Sequence, residues 1–305
     1  MSVALYAFNG TWNSEKTDVD TTDVNEYDSN TNVLKFSHAY TDAGGFYTNG
    51  VGTRFGFLGR FAGGAFGIGG QDRINDAIDH LKPRLAGGET HIDIVGFSRG
   101  AALALAFANR LTKKVKDPAT GKPPRIRFLG LWDVVGSFGI PFSLGPIKFQ
   151  EYNLGYGMDL PSNVEHCFHA LALDERRQTF RPTRLQGAYE VWFRGAHSDV
   201  GGGNDNVGLN SIALSWMLRK AAAGGLPIDP ARVTAAAAAN APATKPKWPR
   251  DLFKNRKRDI LKGDRVHHTV DTTNDKECND PPGSCAIERT ADELVAQKAT
   301  TFEAG

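Results

Sequence analysis

Hydrophobic positions along the chain fall into short unbroken runs, each ended by Gly, Asn, Asp or Ser and separated from the next by loops or by stretches of helical spacing. Val3 to Phe8 is the first run, and its continuous apolar character predicts a central strand buried on both faces. It breaks at Asn9-Gly10-Thr11-Trp12-Asn13. Residues 14 to 32 are rich in Asp, Thr, Asn and Ser and are expected as an exposed loop. Val33 to Tyr40 is expected as a second strand. Phe55, Phe57, Leu58, Phe61, Phe66 and Ile68 then crowd a glycine-rich stretch ending at Gly70, too rich in glycine for a regular element. That stretch is expected as a loop, either tucked into the core or forming the apolar, lipid-facing rim of a binding mouth. From Gln71 to Lys82, Ile74, Ala77, Ile78 and Leu81 share one stripe, which predicts a helix closed by Pro83 and Gly87-Gly88.

The second half repeats the alternation. His91 to Phe97 reads as a strand passing into a helix from Ala101 to Leu111, and Ile126 to Trp132 as another strand. Gly139 to Leu160, rich in Phe, Pro and Gly, is expected as a loop or cap. An apolar run from Val164 to Leu173 leads into Asp174-Glu175-Arg176-Arg177, read as a structural ion-pair network. Tyr189 to Phe193 is expected as the last core strand, followed by a helix over Leu209 to Ala223. Beyond Gly224 the chain changes character: Ala235 to Ala239, Pro242 and Lys245-Pro246-Lys247 read as a loose connection, and a final helix is expected near Ala291 to Thr300. The alternation predicts an α/β fold with a mostly parallel central sheet flanked by helices. Residues 1–225 form its main body, and residues 226–305 an extension packed on it.

Composition narrows the class. Of the 305 residues, 40% are hydrophobic, enough for a sizeable core, and the net charge of +2 gives no reason to expect nucleic acid. Lys254-Asn255-Arg256-Lys257-Arg258 is a local basic run, read as a solvated helix face in preference to a phosphate or headgroup patch. No stretch reaches the apolar length of a membrane span, and Met1-Ser2 leads straight into the first strand without a secretory signal. Of three cysteines, Cys167 reads as a core thiol, while Cys278 and Cys285 bracket a loop that a disulfide would close in an oxidising compartment.

Candidate chemistry sits at the strand ends. Gly96-Phe97-Ser98-Arg99-Gly100 is a G-x-S-x-G turn with a strand before it and an Ala-Leu-rich helix behind it, the context in which a serine is exposed as a nucleophile. The helix dipole adds positive potential where negative charge develops in acyl transfer. Asp133 ends the strand Ile126 to Trp132, where the acid of a triad belongs. His197 lies in Arg194-Gly195-Ala196-His197-Ser198-Asp199-Val200-Gly201-Gly202-Gly203 after the last expected strand, ahead of its rival His268. The order Ser98, Asp133, His197 is that of an α/β hydrolase. Its oxyanion hole is expected from the N–H of Arg99 and a donor of the Gly10-Thr11 turn. Asp199 is expected to support the His197 loop; with Asn204 and Asp205 it also makes a weak calcium candidate. The chemistry itself requires no cofactor.

Taken in order, Phe8-Asn9-Gly10-Thr11-Trp12-Asn13, Gly50-Val51-Gly52-Thr53, Gly96-Phe97-Ser98-Arg99-Gly100, Leu131-Trp132-Asp133-Val134-Val135-Gly136, Asp174-Glu175-Arg176-Arg177 and the His197 segment resemble the catalytic domain of the first family of type VI secretion lipase effectors. The resemblance spans residues 3 to about 225. It departs from the family at Asn9, where Asp is usual, and in length, since family members are often much longer and carry membrane-binding modules. It implies an A-type phospholipase acting on a phospholipid membrane, a cognate immunity protein and a spike or tube component of the secretion machine as partners. It also implies residence in the producer's cytoplasm, then delivery without a signal peptide into a rival's periplasm. Two other readings stand beside it: an esterase or thioesterase on a soluble acyl substrate, and a catalytically inactive binding protein on the same fold.

Overall fold

A computed structural model describes residues 3–10, 30–42, 44–48, 65–88, 91–136, 159–248, 256–272 and 277–289. The expectations placed on 11–29, on most of the glycine and phenylalanine stretch, on the cap within 137–158 and on the helix near 291–300 lie outside them. Among the described residues, eight parallel strands form one sheet in the order β2-β1-β3-β4-β5-β6-β7-β8. They are β1 (Val3–Phe8), β2 (Phe46–Thr48), β3 (His91–Phe97), β4 (Ile126–Trp132), β5 (Val164–Ala172), β6 (Tyr189–Phe193), β7 (Arg265–His267) and β8 (Ala286–Glu288). This is an α/β-hydrolase-like fold.

Helices cover both faces. On one, α2 (Ala65–Ala86) and α3 (Arg99–Lys114) pack on Tyr6, Phe8, Ile92, Ile94 and Leu131. On the other, α1 (Asn32–Ala39), α5 (Val207–Ala223) and α6 (Pro230–Ala238) cover the alternate side chains Leu5, Ala7, Val95, Phe97 and Trp132. Side chains alternate faces along each strand, so strands buried on both sides read as unbroken apolar runs. A short helix, α4 (His197–Gly201), follows β6.

Several expectations are corrected. Val33 to Tyr40 is not a strand: residues 32–39 are helix α1, started by Thr31, whose hydroxyl accepts from the Leu34 N–H. Its Val33, Leu34, Phe36 and Ala39 are all buried, and in so short a window that apolar density imitates a strand. Helix α2 runs past Pro83 to Ala86, and it begins at Ala65, inside the stretch judged too glycine-rich for a helix. Pro83 is exposed in the last turns, where its missing N–H removes one hydrogen bond without ending the helix. Asp229 caps Pro230 at the start of α6, so part of the presumed loose connection is helical. Tyr189–Phe193 is not the last strand: three-residue β7 and β8 extend the sheet with residues of the C-terminal extension. Cys278 and Cys285 are free thiols. Among the described residues, no helix is long and apolar enough to cross a membrane.

The register sets the level of the chemistry. Phe8 pairs with Gly96, Phe97 with Trp132, and Trp132 with Ala170, so β1, β3 and β4 end side by side. Between β1 and β3 the strand order reverses, opening the crevice where ligands of open α/β sheets bind. Phe36 locks α1 to this sheet, its ring 6.2 Å from that of Phe128 and 6.0 Å from that of Trp132. Phe36→Ala should therefore cost about 3–5 kcal/mol, read as a lower urea midpoint at constant m. A loss below about 1 kcal/mol would contradict a packed helix at this position.

Candidate active site

The turn after β3 is built by close approach. Ser98 has φ 59° and ψ −125°, a conformation few non-glycine residues adopt and one that turns the chain sharply into α3. A Cβ on Gly96 would sit 2.7 Å from the Ala101 Cα, and one on Gly100 would sit 2.3 Å from the carbonyl oxygens of both Phe8 and Asn9. The two glycines are therefore required by neighbouring backbone, which lets α3 start directly behind the serine. Ser98 donates its N–H to the Trp132 carbonyl (3.0 Å) and accepts from the Val135 N–H (3.3 Å), tying the turn to the end of β4.

Ser98, Asp133 and His197 meet. Ser98 Oγ lies 2.8 Å from His197 Nε2, and His197 Nδ1 lies 2.6 Å from Asp133 Oδ2. All three side chains are buried. The geometry fixes the proton pattern: Nδ1–H donates to the carboxylate, leaving Nε2 to accept from the serine hydroxyl. Phe97 and Phe180 wall the imidazole, with ring centroids 4.6 and 4.9 Å away. His268 lies elsewhere, its ring against His267 and its Nδ1 facing the Glu288 carbonyl.

Burial alone would raise the Asp133 carboxyl. The Arg258 guanidinium, with the hydrogen bond and charge of His197, instead holds it well below the usual carboxylate range. Arg258 Nη1 donates to Oδ1 (2.6 Å) and Nη2 to Oδ2 (3.0 Å), and the Ala172 N–H adds a bond at 3.0 Å. For His197, burial outweighs the attraction of Asp133 and lowers its pKa from 6.5. The ring is therefore a neutral base near pH 7.

The segments carrying these groups are held from behind. The Val134 N–H donates to His169 Nε2 (3.1 Å), so the His169 proton sits on Nδ1 and faces Glu190 Oε1 at 3.0 Å. Glu175 accepts the His197 backbone N–H (3.2 Å) and pairs with Arg177 (2.8 Å), while Asp174 pairs with Arg194 (2.9 Å). The network read at Asp174–Arg177 is thus structural, and it braces the histidine. Asp199 accepts from the Ala196 and Lys247 N–H groups and from the amides of Asn204 and Asn206, at 2.7–2.9 Å. These N–H donors occupy the carboxylate that was weighed as a calcium ligand, and Asp205 stands on an exposed turn at φ 57°. No group of three or more His, Cys, Asp or Glu able to hold a metal occurs among the described residues.

At the β1 end, Asn9 Oδ1 accepts from its neighbour Gly10 N–H (2.8 Å) and from the Thr31 hydroxyl (2.9 Å), and Nδ2 donates to the Tyr47 hydroxyl (2.6 Å). The Gly10 N–H is therefore engaged by Asn9, and Thr11 lies outside the described residues. Arg99 is the first residue of α3. Arg258, Glu175, His169 and Phe180 were not singled out as site residues. Glu175 stood in a recognised charged motif; Arg258 stood in a basic run read as a solvated helix face, whereas its side chain is 5% exposed and packed on Asp133.

Ser98, Asp133 and His197 thus follow the parallel strands β3, β4 and β6 and are joined by hydrogen bonds in a buried cluster. The family described as "T6SS, Phospholipase effector Tle1-like, catalytic domain" matches residues 5–116 and 108–220. The chain belongs to that family. A crystal structure of an uncharacterized protein from Pseudomonas aeruginosa shares the fold, with 23% identity, a TM-score of 0.55, and coverage of 74% of this chain and 46% of the other. The Tle1 effector bound to the VgrG spike of the type 6 secretion system is 21% identical with a TM-score of 0.46, over 66% of this chain and 51% of that one. This chain thus spans about half the length of the solved structures it matches. No curated protein matches it.

Gly100→Ala should destabilise the protein by at least about 3 kcal/mol, because the new methyl strikes two backbone carbonyls that cannot swing aside. Urea unfolding of a variant indistinguishable from wild type would show that the turn does not lie against β1.

Proposed function

We propose that the chain is a serine ester hydrolase of the A-type phospholipase class, acting as an antibacterial effector. The observation that carries this reading is the unbroken hydrogen-bond chain from Ser98 through His197 to Asp133. Family membership supports the phospholipid substrate. In this reading Ser98 Oγ attacks an ester carbonyl while His197 Nε2 takes its proton, and Asp133 stabilises the imidazolium that forms. In the same reading the Arg99 N–H and a donor of the Gly10-Thr11 turn stabilise the oxyanion. His197 then returns the proton to the leaving alcohol. Water, deprotonated by the same nitrogen, attacks the acyl-serine and releases the carboxylic acid and free Ser98.

As an effector of this family, the protein has a secretion spike or tube component and a cognate immunity protein as its expected partners, and the periplasm of a rival cell as its expected place of action.

On vesicles of mixed bacterial phospholipids the wild type should release fatty acid and lysophospholipid, and Ser98→Ala should lower that rate by on the order of 10⁶-fold while keeping its melting temperature. Turnover confined to short water-soluble acyl esters would move the substrate to the soluble class. Near wild-type turnover by Ser98→Ala would remove the nucleophile assignment.

The pH dependence has a definite sign. Proton abstraction requires neutral imidazole, which is present above the His197 pKa and lost as pH falls through it. Burial depresses that pKa, so the acid limb of kcat/KM should have its midpoint below 6.5. A midpoint clearly above that value would contradict a desolvated base.

A further inference from the structure

We propose that Arg258, from the C-terminal extension beyond the family-matched residues, is a positioning residue of this hydrolase site: its guanidinium fork fixes the plane of the Asp133 carboxylate. The inference rests on the Ser98 reading given above.

Two parallel N–H···O contacts, at 2.6 and 3.0 Å, meet both carboxylate oxygens in the bidentate geometry specific to arginine. The same guanidinium donates to the Ala172 carbonyl (2.7 Å) and to the Phe180 carbonyl. It thus joins the end of β4, the end of β5 and the residue whose ring walls His197. With the Ala172 N–H and His197, Arg258 leaves Asp133 a single orientation, the one that points Oδ2 at Nδ1. Lysine, a point charge on a flexible stem, cannot make this set of contacts.

The backbone bearing Arg258 is fixed to the body of the fold. Asn279 Nδ2 donates to the Arg258 carbonyl (2.9 Å), the Arg256 N–H donates to the Arg176 carbonyl (2.9 Å), and the Asn279 N–H donates to Asp174 (2.6 Å). Completing the site is therefore a task of residues past 220, the end of the family match.

Beside this contact lies a cleft of about 230 Å³ lined by Arg177, Arg181, Arg184, Arg256 and Lys257, a superficially attractive phosphate receptor. Four of its guanidiniums are already paired with carboxylates: Arg177 with Glu175, Arg184 with Glu190 and Asp264, Arg256 with Asp259 and Arg258 with Asp133. The function of Arg258 lies on its Asp133 side.

The charges facing His197 are Asp133 and Glu175, which favour its protonated form, and Arg177, which opposes it. Asp199, on α4 itself, is turned to Ala196, Asn204, Asn206 and Lys247. Arg258 acts on the histidine through Asp133, offsetting the carboxylate charge and so disfavouring the imidazolium. Its removal should raise the His197 pKa.

The test is the rate at which a fluorophosphonate labels the protein, followed against pH, with peptide mapping of the modified residue. Wild type labelled elsewhere than Ser98 would overturn the nucleophile reading on its own account. With Ser98 labelled, Arg258→Ala should react about tenfold to a hundredfold more slowly, as expected for a base displaced by a fraction of an ångström to an ångström. Its acid midpoint should move up by about one pH unit, and millimolar guanidinium ion should restore part of the rate. Arg258→Lys, which keeps the charge and loses the fork, should be slowed without the full shift, and it carries the test if the alanine variant does not fold. A wild-type rate and midpoint in either folded variant would overturn the proposal. So would a slower reaction in Arg258→Ala with an unmoved midpoint and no rescue, which is the mark of a purely structural arginine.

Discussion

A carboxylate sealed from water at the end of β4 has to remain charged, and much of the surrounding architecture follows from that constraint. Asp133 is fully buried, and such a group normally escapes the cost of burial by taking up a proton. Here two N–H groups of one arginine, a backbone N–H and the imidazole saturate its oxygens. An ionised Asp133 accepts the Nδ1 proton of His197, and with that proton on Nδ1 the Nε2 is left as the acceptor for Ser98. Reactivity at one end of the chain of hydrogen bonds thus depends on charge balance at the other.

Placement of the three groups is a matter of sheet register and strain. Because Phe97 pairs with Trp132, Ser98 and Asp133 leave the sheet at the same level, and both do so with positive φ, at 59° and 42°. Non-glycine residues resist such angles, so each turn needs support. The elbow receives it from β1 and the Trp132 carbonyl, and the Asp133 turn from His169 and Ala170. His197 is held more indirectly. Asn32 at the start of α1 donates to the Val200 carbonyl, and Asn210 of α5 donates to those of Ser198 and Asp199, so helices from both halves of the chain hold α4 in place.

Elements legible in the sequence are those with a strong one-dimensional signal. β1, β3 and β4 are buried along nearly their whole length and read as largely apolar runs, and α3 follows a motif whose glycines are dictated by close approach. α1 was misread because nearly every residue in its two turns is buried, which erases the helical period. β7 and β8 are three residues each and carry Arg, His and Glu, so nothing marks them as strands. The Ser98, Asp133 and His197 positions could be named because each follows a strand in a fixed order. Arg258 could not: its part is set by a tertiary contact 125 residues away from Asp133, and in the sequence it is one cation in a basic run. The calcium candidates at Asp199, Asn204 and Asp205 were equally ambiguous, since the same residue types that bind calcium also bond to amides.

The account stands on Ser98 carrying an acyl group during turnover. The most direct measurement is mass spectrometry of enzyme quenched in acid within milliseconds of mixing with excess phospholipid or a chromogenic acyl ester, followed by peptide mapping. The account predicts a mass increase equal to one acyl group, located on Ser98, formed within a burst of leaving-group release and absent from Ser98→Ala. Turnover without any acyl adduct, or an adduct on another residue, would contradict it.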